Sequence, residues 1–112
     1  MKSLPIALLI AAASTAAIAR APSMTVSWTE TKLSAEDCVA LAEKSMRAAG
    51  MTRAFEILSG NTVYGESGDY TGAIRCVADH EVVMFVIAGP AADRTEELHK
   101  QIKDPFTAPS SN

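Results

Sequence analysis

The sequence predicts an α+β fold: a two-layer sandwich with an antiparallel sheet of four to five strands and two helices on one face. Three observations predict it. Segments 34–50 and 90–103 carry apolar side chains at helical spacing, between capping and stopping residues. Several short runs rich in Val, Ile, Thr and aromatic residues are bounded by Gly, Pro, Asn and Asp, which is the signature of strands between turns. The order strand, helix, three or four strands, helix sets two amphipathic helices against one sheet rather than alternating them as βαβ units.

The first strand is expected over 24–31. Met24, Val26 and Trp28 fall on one face and Thr25, Ser27 and Thr29 on the other, the alternation of a half-buried strand. A helix follows from Ser34. The Ser34 hydroxyl can cap the first turn, Asp37 stands at the position that reaches back, and Leu33 can staple onto residue 38. Its apolar face runs Cys38, Leu41, Ala42, Ser45, Met46 and Ala49. Gly50 supplies a left-handed closing residue, and Met51 can fold back on Met46.

A short strand is expected over 53–58, carrying Phe55 and Ile57, and another over 61–66 between glycine turns. The strongest strands are 70–78 and 81–88. Asp79-His80 between them reads as a tight hairpin turn, although it lacks the usual Asn-Gly or Asp-Gly pair. A two-residue turn would pair 76 with 83 and 74 with 85, placing Ile74, Cys76, Val83, Phe85 and Ile87 on one face. Gly89-Pro90 ends the sheet and opens the second helix, with the stripe Ala91, Thr95, Leu98 and Ile102. Asp104-Pro105 is expected to stop it.

The chain begins as an export signal would. Lys2 forms a short positive region, Leu4–Ala13 an apolar one, and Ala17-Ile18-Ala19 fits an A-x-A cleavage site. The expected organisation is a signal peptide over 1–19, one domain over 20–104 and a disordered tail over 105–112. Cleavage after Ala19 would leave the protein periplasmic or secreted, with no membrane span after processing. Removing 19 of 112 residues leaves 93, enough for one domain. Lys2 leaves with the signal, so nine basic side chains face thirteen acidic ones, a net charge of −4. That mild acidity argues against nucleic acid or an anionic membrane as partner.

Cys38 and Cys76 are the chain's two cysteines. In an exported domain they read first as a structural disulfide stapling helix to sheet. Closing a loop of about 39 residues stabilises by about 4 kcal/mol in the chain-entropy model. A redox pair is the weaker reading, because such pairs sit close together as C-x-x-C. A zinc site drawing on His80 and His99 matches no common ligand spacing. No cofactor or metal is expected.

Three features are candidates for function. The segment Gly60–Gly72 combines glycines with Asn61, Tyr64, Asp69 and Tyr70, so it can present amides and rings to a polar ligand or a protein. It lacks the lysine of a phosphate-binding loop. The junction Ala88-Gly89-Pro90-Ala91 leads into a helix N-terminus that can hold an anion, but Asp93 already supplies a carboxylate there. Asp79-His80-Glu81 offers acid–base groups at a hairpin tip, a setting usually too wet to tune them. His99 is expected on a polar helix face. Beyond these, Val77, Val82, Met84 and Val86, with Arg75 among them, should point away from the helices. A sheet covered on one side should be polar on the other, and this one is not. Either that face binds a partner or a second copy of the chain, or the register slips by one.

Ser34-Ala35-Glu36-Asp37-Cys38, the stretches Asn61-Thr62-Val63-Tyr64-Gly65 and Tyr70-Thr71-Gly72-Ala73-Ile74-Arg75-Cys76, and the junction Val86-Ile87-Ala88-Gly89-Pro90 resemble a group of short exported bacterial proteins of unknown function. The resemblance covers most of the mature chain. It implies an exported bacterial domain and no activity, and it carries over no catalytic residue.

The expectation is therefore an exported small binding domain without catalysis, contacting an unknown protein or polar ligand through Asn61, Tyr64, Asp69, Tyr70, Arg75, Met84 and Val86, or forming a homodimer through the outer sheet face. The alternatives are a small extracytoplasmic hydrolase using His80 with Asp69, Asp79 or Glu81, and a protein inhibitor of an envelope enzyme.

Overall fold

A computed structural model describes residues 21–108. The expected leader over 1–19 and residues 109–112 of the expected tail lie outside the described residues. The fold is the predicted one, in the order β-α-β-β-β-β-α. The elements are β1 (Ser23–Glu30), α1 (Ala35–Ala48), β2 (Arg53–Leu58), β3 (Thr62–Ser67), β4 (Tyr70–Val77), β5 (Val82–Gly89) and α2 (Ala92–Thr107). The five strands form one antiparallel sheet in the order β1-β5-β4-β3-β2. Helix α1 packs beneath β3 and β4, α2 beneath β1 and β5, and the helices touch each other.

The caps of α1 form at the expected residues, with the Ser34 half of the expected reciprocal cap made and no return bond from the Asp37 carboxylate among the described residues. Ser34 Oγ accepts the Asp37 N–H at 3.1 Å. At the other end Gly50 takes φ +78°, its N–H reaches Arg47 O at 3.0 Å, and the Met51 N–H reaches Met46 O at 2.9 Å. That is a Schellman closure, and it folds Met51 into the core beside Met46. The core is a layer of Cys38, Ala42 and Met46 from α1, Met51, Val63 from β3, Ile74 and Cys76 from β4, Val83, Phe85 and Ile87 from β5, and Leu98 and Ile102 from α2. The Cys38–Cys76 disulfide is present, with Cα atoms 6.1 Å apart, and ties α1 to a central strand.

The β4–β5 register is the expected one: Cys76 opposes Val83 and Ile74 opposes Phe85. The turn is wider than two residues. Ala78–His80 form a single 3-10 turn, and Glu81 at φ +55° returns the chain. The register survives because two residues are added symmetrically to the tip.

The domain boundary needs correction. Residues 105–107 belong to α2 rather than to a disordered tail, and Pro105 sits inside the last turn instead of stopping the helix at 104. Pro105 forfeits its own N–H bond. Phe106 compensates by packing edge-on against Phe85, with ring centroids 5.3 Å apart.

Candidate functional site

The Gly60–Gly72 segment is not one loop. It is β3 between two tight turns. Ser59 (φ +53°) and Gly60 (φ +69°) form the first, closed by the Asn61 N–H on Leu58 O at 3.1 Å. Gly68, at φ +57°, forms the second with Asp69, because Ser67 pairs directly with Tyr70. Gly65 and Gly72 face each other across β3 and β4. A Cβ on Gly65 would stand 2.1 Å from Met51 O, so the glycine makes room for the chain leaving α1.

The polar residues expected to converge in that loop are therefore spread apart. Asn61 is spent locally: its Oδ1 accepts the Thr62 hydroxyl at 2.8 Å, and its carbonyl accepts the Cys76 N–H at 2.8 Å. Tyr70 turns inward. Its Oη accepts the Ala91 N–H at 3.2 Å and so caps α2, where no side chain of α2's own N-cap does so. Asp69 lies at the β3–β4 turn. Tyr64 stands on the outer face, donating its hydroxyl to Glu66, and that carboxylate holds the phenol above its ordinary pKa. Glu66 also pairs with Arg53 at 2.9 Å.

The outer face is the feature the register delivers. Odd-numbered residues of β1 oppose the inward odd residues of β5: Ser27 with Phe85, Thr25 with Ile87. Even-numbered residues of both strands point away from the helices. Met24, Val26 and Trp28 are therefore exposed (63%, 57% and 59%), and Met84 is 41% exposed beside Trp28. The alternation in β1 is real, but its apolar side faces out and its Thr and Ser side faces the helices. Ser27 meets His99 of α2 there, Oγ to Nε2 2.7 Å, and the His99 ring stands edge-on to Phe85. His99 is thus not on a polar face. Burial, and Lys103 after it, holds its pKa below the ordinary value.

Across the sheet, Trp28, Met84, Arg75, Thr62 and Leu58 form one row, and Val26, Val86, Ala73, Tyr64 and Glu56 the next. Ala73 is the small member, and a hollow of about 240 Å³ opens over it, lined by Val26, Thr62, Arg75, Met84 and Val86. Arg75 is exposed at its rim with no ion-pair partner among the described residues. The face thus grades from apolar at β1 and β5 to mixed at β3 and β2, where Glu66 and Glu56 stand beside Tyr64, Thr62 and the exposed Leu58. Of the seven residues expected to bind, Arg75, Met84, Val86 and Tyr64 share this face; Asn61, Asp69 and Tyr70 do not. Sequence reasoning missed Met24, Val26 and Trp28 as surface. The alternation marks two faces of β1 but carries no sign saying which is inside, and the single Trp argues by habit for the core.

His80 is exposed at the β4–β5 tip, on the rim of a hollow of about 420 Å³ that also touches Glu30, Lys32 and Glu81. Glu81 is already paired with Lys32 at 2.8 Å. Asp69 lies at the opposite end of β4, about 25 Å away along eight strand residues. No dry, converging acid–base pair is built around His80. Among the described residues no three His, Cys, Asp or Glu side chains cluster as metal ligands would, and no helix is long and apolar enough to cross a membrane. No protein-family model matches the chain, and no curated protein matches it.

Proposed function

We propose that the chain is a small exported binding domain that works through the outer face of its sheet, without catalysis. The observation that carries this is the exposed apolar patch of Met24, Val26, Trp28 and Met84, beside a rim charge, on the face of the sheet opposite the core. The largest apolar patch on a small soluble domain is often its contact surface. Arg75 at its rim gives an acidic or carbonyl-bearing partner one fixed point of attachment. Export is supported by the expected leader over 1–19 and by the Cys38–Cys76 bridge, which persists in oxidising compartments.

The test is capture of partners from the extracytoplasmic fraction of the source cell by the wild type and by Met84→Lys with Val86→Lys. Circular dichroism of the double variant should be unchanged, since neither side chain is in the core. Loss of the captured partner with the fold intact supports the reading. Capture that is indifferent to both lysines removes its basis. N-terminal sequencing of the exported protein, with Arg20 first, checks the processing.

A further inference from the structure

The two edges of the sheet are built differently. At β2 the pairing with β3 is broken by a bulge between Arg53 and Glu56, Ala54 takes φ +53°, and both flanking residues are charged. Those are the devices by which proteins blunt an edge. At β1 the register with β5 runs without interruption from Ser23 to Glu30, contains no proline and carries one charge, at its end.

Ladder geometry says which β1 groups are free. The Thr31 N–H bonds Glu81 O at 3.0 Å, continuing the β1–β5 register. In an antiparallel pair the bonded residues alternate, so Thr29, Ser27, Thr25 and Ser23 also bond β5. The far side of the sheet gives the same parity: the Cys76 N–H bonds Asn61 O, which commits the even residues of β4 to β3 and the odd ones to β5. Met24, Val26, Trp28 and Glu30 consequently aim both N–H and C=O at the open edge. The first three of these carry the exposed apolar side chains.

We propose that β1 pairs antiparallel with β1 of a second copy of this chain, giving one continuous ten-stranded sheet. The register that uses all four free residues has its two-fold axis at Ser27. It sets Val26 opposite Trp28 of the second copy and Met24 opposite Glu30, with eight backbone hydrogen bonds. One step one way sets Pro22, which has no N–H, opposite Glu30 and wastes that pair; one step the other way sets Met24 opposite Lys32, beyond the end of β1. Cross-strand Val–Trp pairs are among the favourable ones. Pairing covers part of the exposed Met24, Val26 and Trp28 side chains together with the backbone strip of the edge, an interface at the low end of the size classes, near or below about 1,200 Å² in total, where association is weak and reversible. The guarded β2 edge closes the assembly at two copies, as an isologous dimer rather than a fibre. This inference stands on the open edge of β1; it shares Met24, Val26 and Trp28 with the binding role proposed for the face, and Met84→Lys on β5 separates the two.

Sedimentation of the oxidised mature protein should show a dimer that dissociates on dilution. Hydrogen exchange by NMR at concentrations above and below the transition should slow the amides of Met24, Val26, Trp28 and Glu30 at least about tenfold in the dimer, leaving those of Thr25, Ser27 and Thr29 unchanged. Val26→Pro deletes an edge N–H not used by β5 and should raise the dissociation constant at least about tenfold, because symmetry removes two bonds. Met84→Lys alters the face alone and should leave the dimer intact. A monomer at all concentrations overturns the proposal. So does a dimer whose four even amides exchange as fast as in the monomer, a folded Val26→Pro variant that dimerises as well as wild type, or a dimer lost with Met84→Lys. If Val26→Pro does not fold, the exchange comparison on the wild type decides.

Discussion

The ring of Tyr70 lies against Gly89, where a Cβ would come within 2.0 Å of ring carbon Cδ2. The contact joins the start of β4 to the end of β5 and brings the Tyr70 hydroxyl to the Ala91 N–H at the mouth of α2. A tyrosine expected to greet a ligand is instead the cap of a helix. Gly89→Ala should destabilise by about 2–3 kcal/mol, because ring or strand must move. Tyr70→Phe keeps the packing and loses one hydrogen bond, about 1 kcal/mol. Thermal unfolding of both variants should show that order; equal effects would mean that the ring contact is loose.

Much of the fold was legible because local signals agreed with each other. Ser34 at one end of α1 and Gly50-Met51 at the other mark the helix by chemistry that hardly depends on what packs against it. Ile74, Cys76, Val83, Phe85 and Ile87 announced the inner face because a correct register aligns five apolar residues at once. The outer contact residues were half legible. Met84, Val86 and Arg75 followed from that register, whereas β1 needed its register with β5 before Met24, Val26 and Trp28 could be placed. The glycine segment misled for a related reason. Gly65 and Gly72 look like loop residues, yet they lie inside strands because Met51, distant in sequence, fills the space over them. Pro105 misled because the price of a proline in a last turn is small beside the burial of Phe106.

The Cys38–Cys76 bridge closes a loop with a sequence separation of 38. Replacing both cysteines with alanine should cost about 4 kcal/mol by the chain-entropy estimate. For a domain of this size that is a fall in Tm of about 15–30 °C. Calorimetry on the double variant checks it, and reduction of the wild type should give a similar loss. A fall of only a few degrees would show that the helix–sheet contact holds without its staple.

Ser45 is buried in α1 at 2% exposure, and its Oγ has no hydrogen-bond partner among the described residues. A hydroxyl taken out of water and left unpaired costs about 1–3 kcal/mol. Alanine removes that cost and is a few tenths of a kcal/mol better within a helix. Ser45→Ala should therefore raise stability by about 1–2 kcal/mol in urea unfolding, with an unchanged slope. A destabilised variant would mean that the hydroxyl has a partner in solution.

His99 links stability to pH. It sits under β1 with Nε2 at Ser27 Oγ, edge-on to Phe85, and burial followed by the charge of Lys103 disfavours its protonated form. Its folded pKa is therefore below the ordinary 6.5. The unfolded chain then binds more protons than the folded one across that interval, so stability rises with pH there. The contribution is complete above about 6.5 and is lost as pH falls from that value down through the lowered one. Wild-type Tm should drop between pH 7 and pH 5 by more than that of His99→Gln, which has nothing to protonate at this position. Comparing two variants over one pH interval cancels the carboxylates common to both, so the difference belongs to His99. Parallel Tm profiles for wild type and variant would mean that the imidazole is as well solvated in the fold as out of it, and that the Ser27 contact does not close over it.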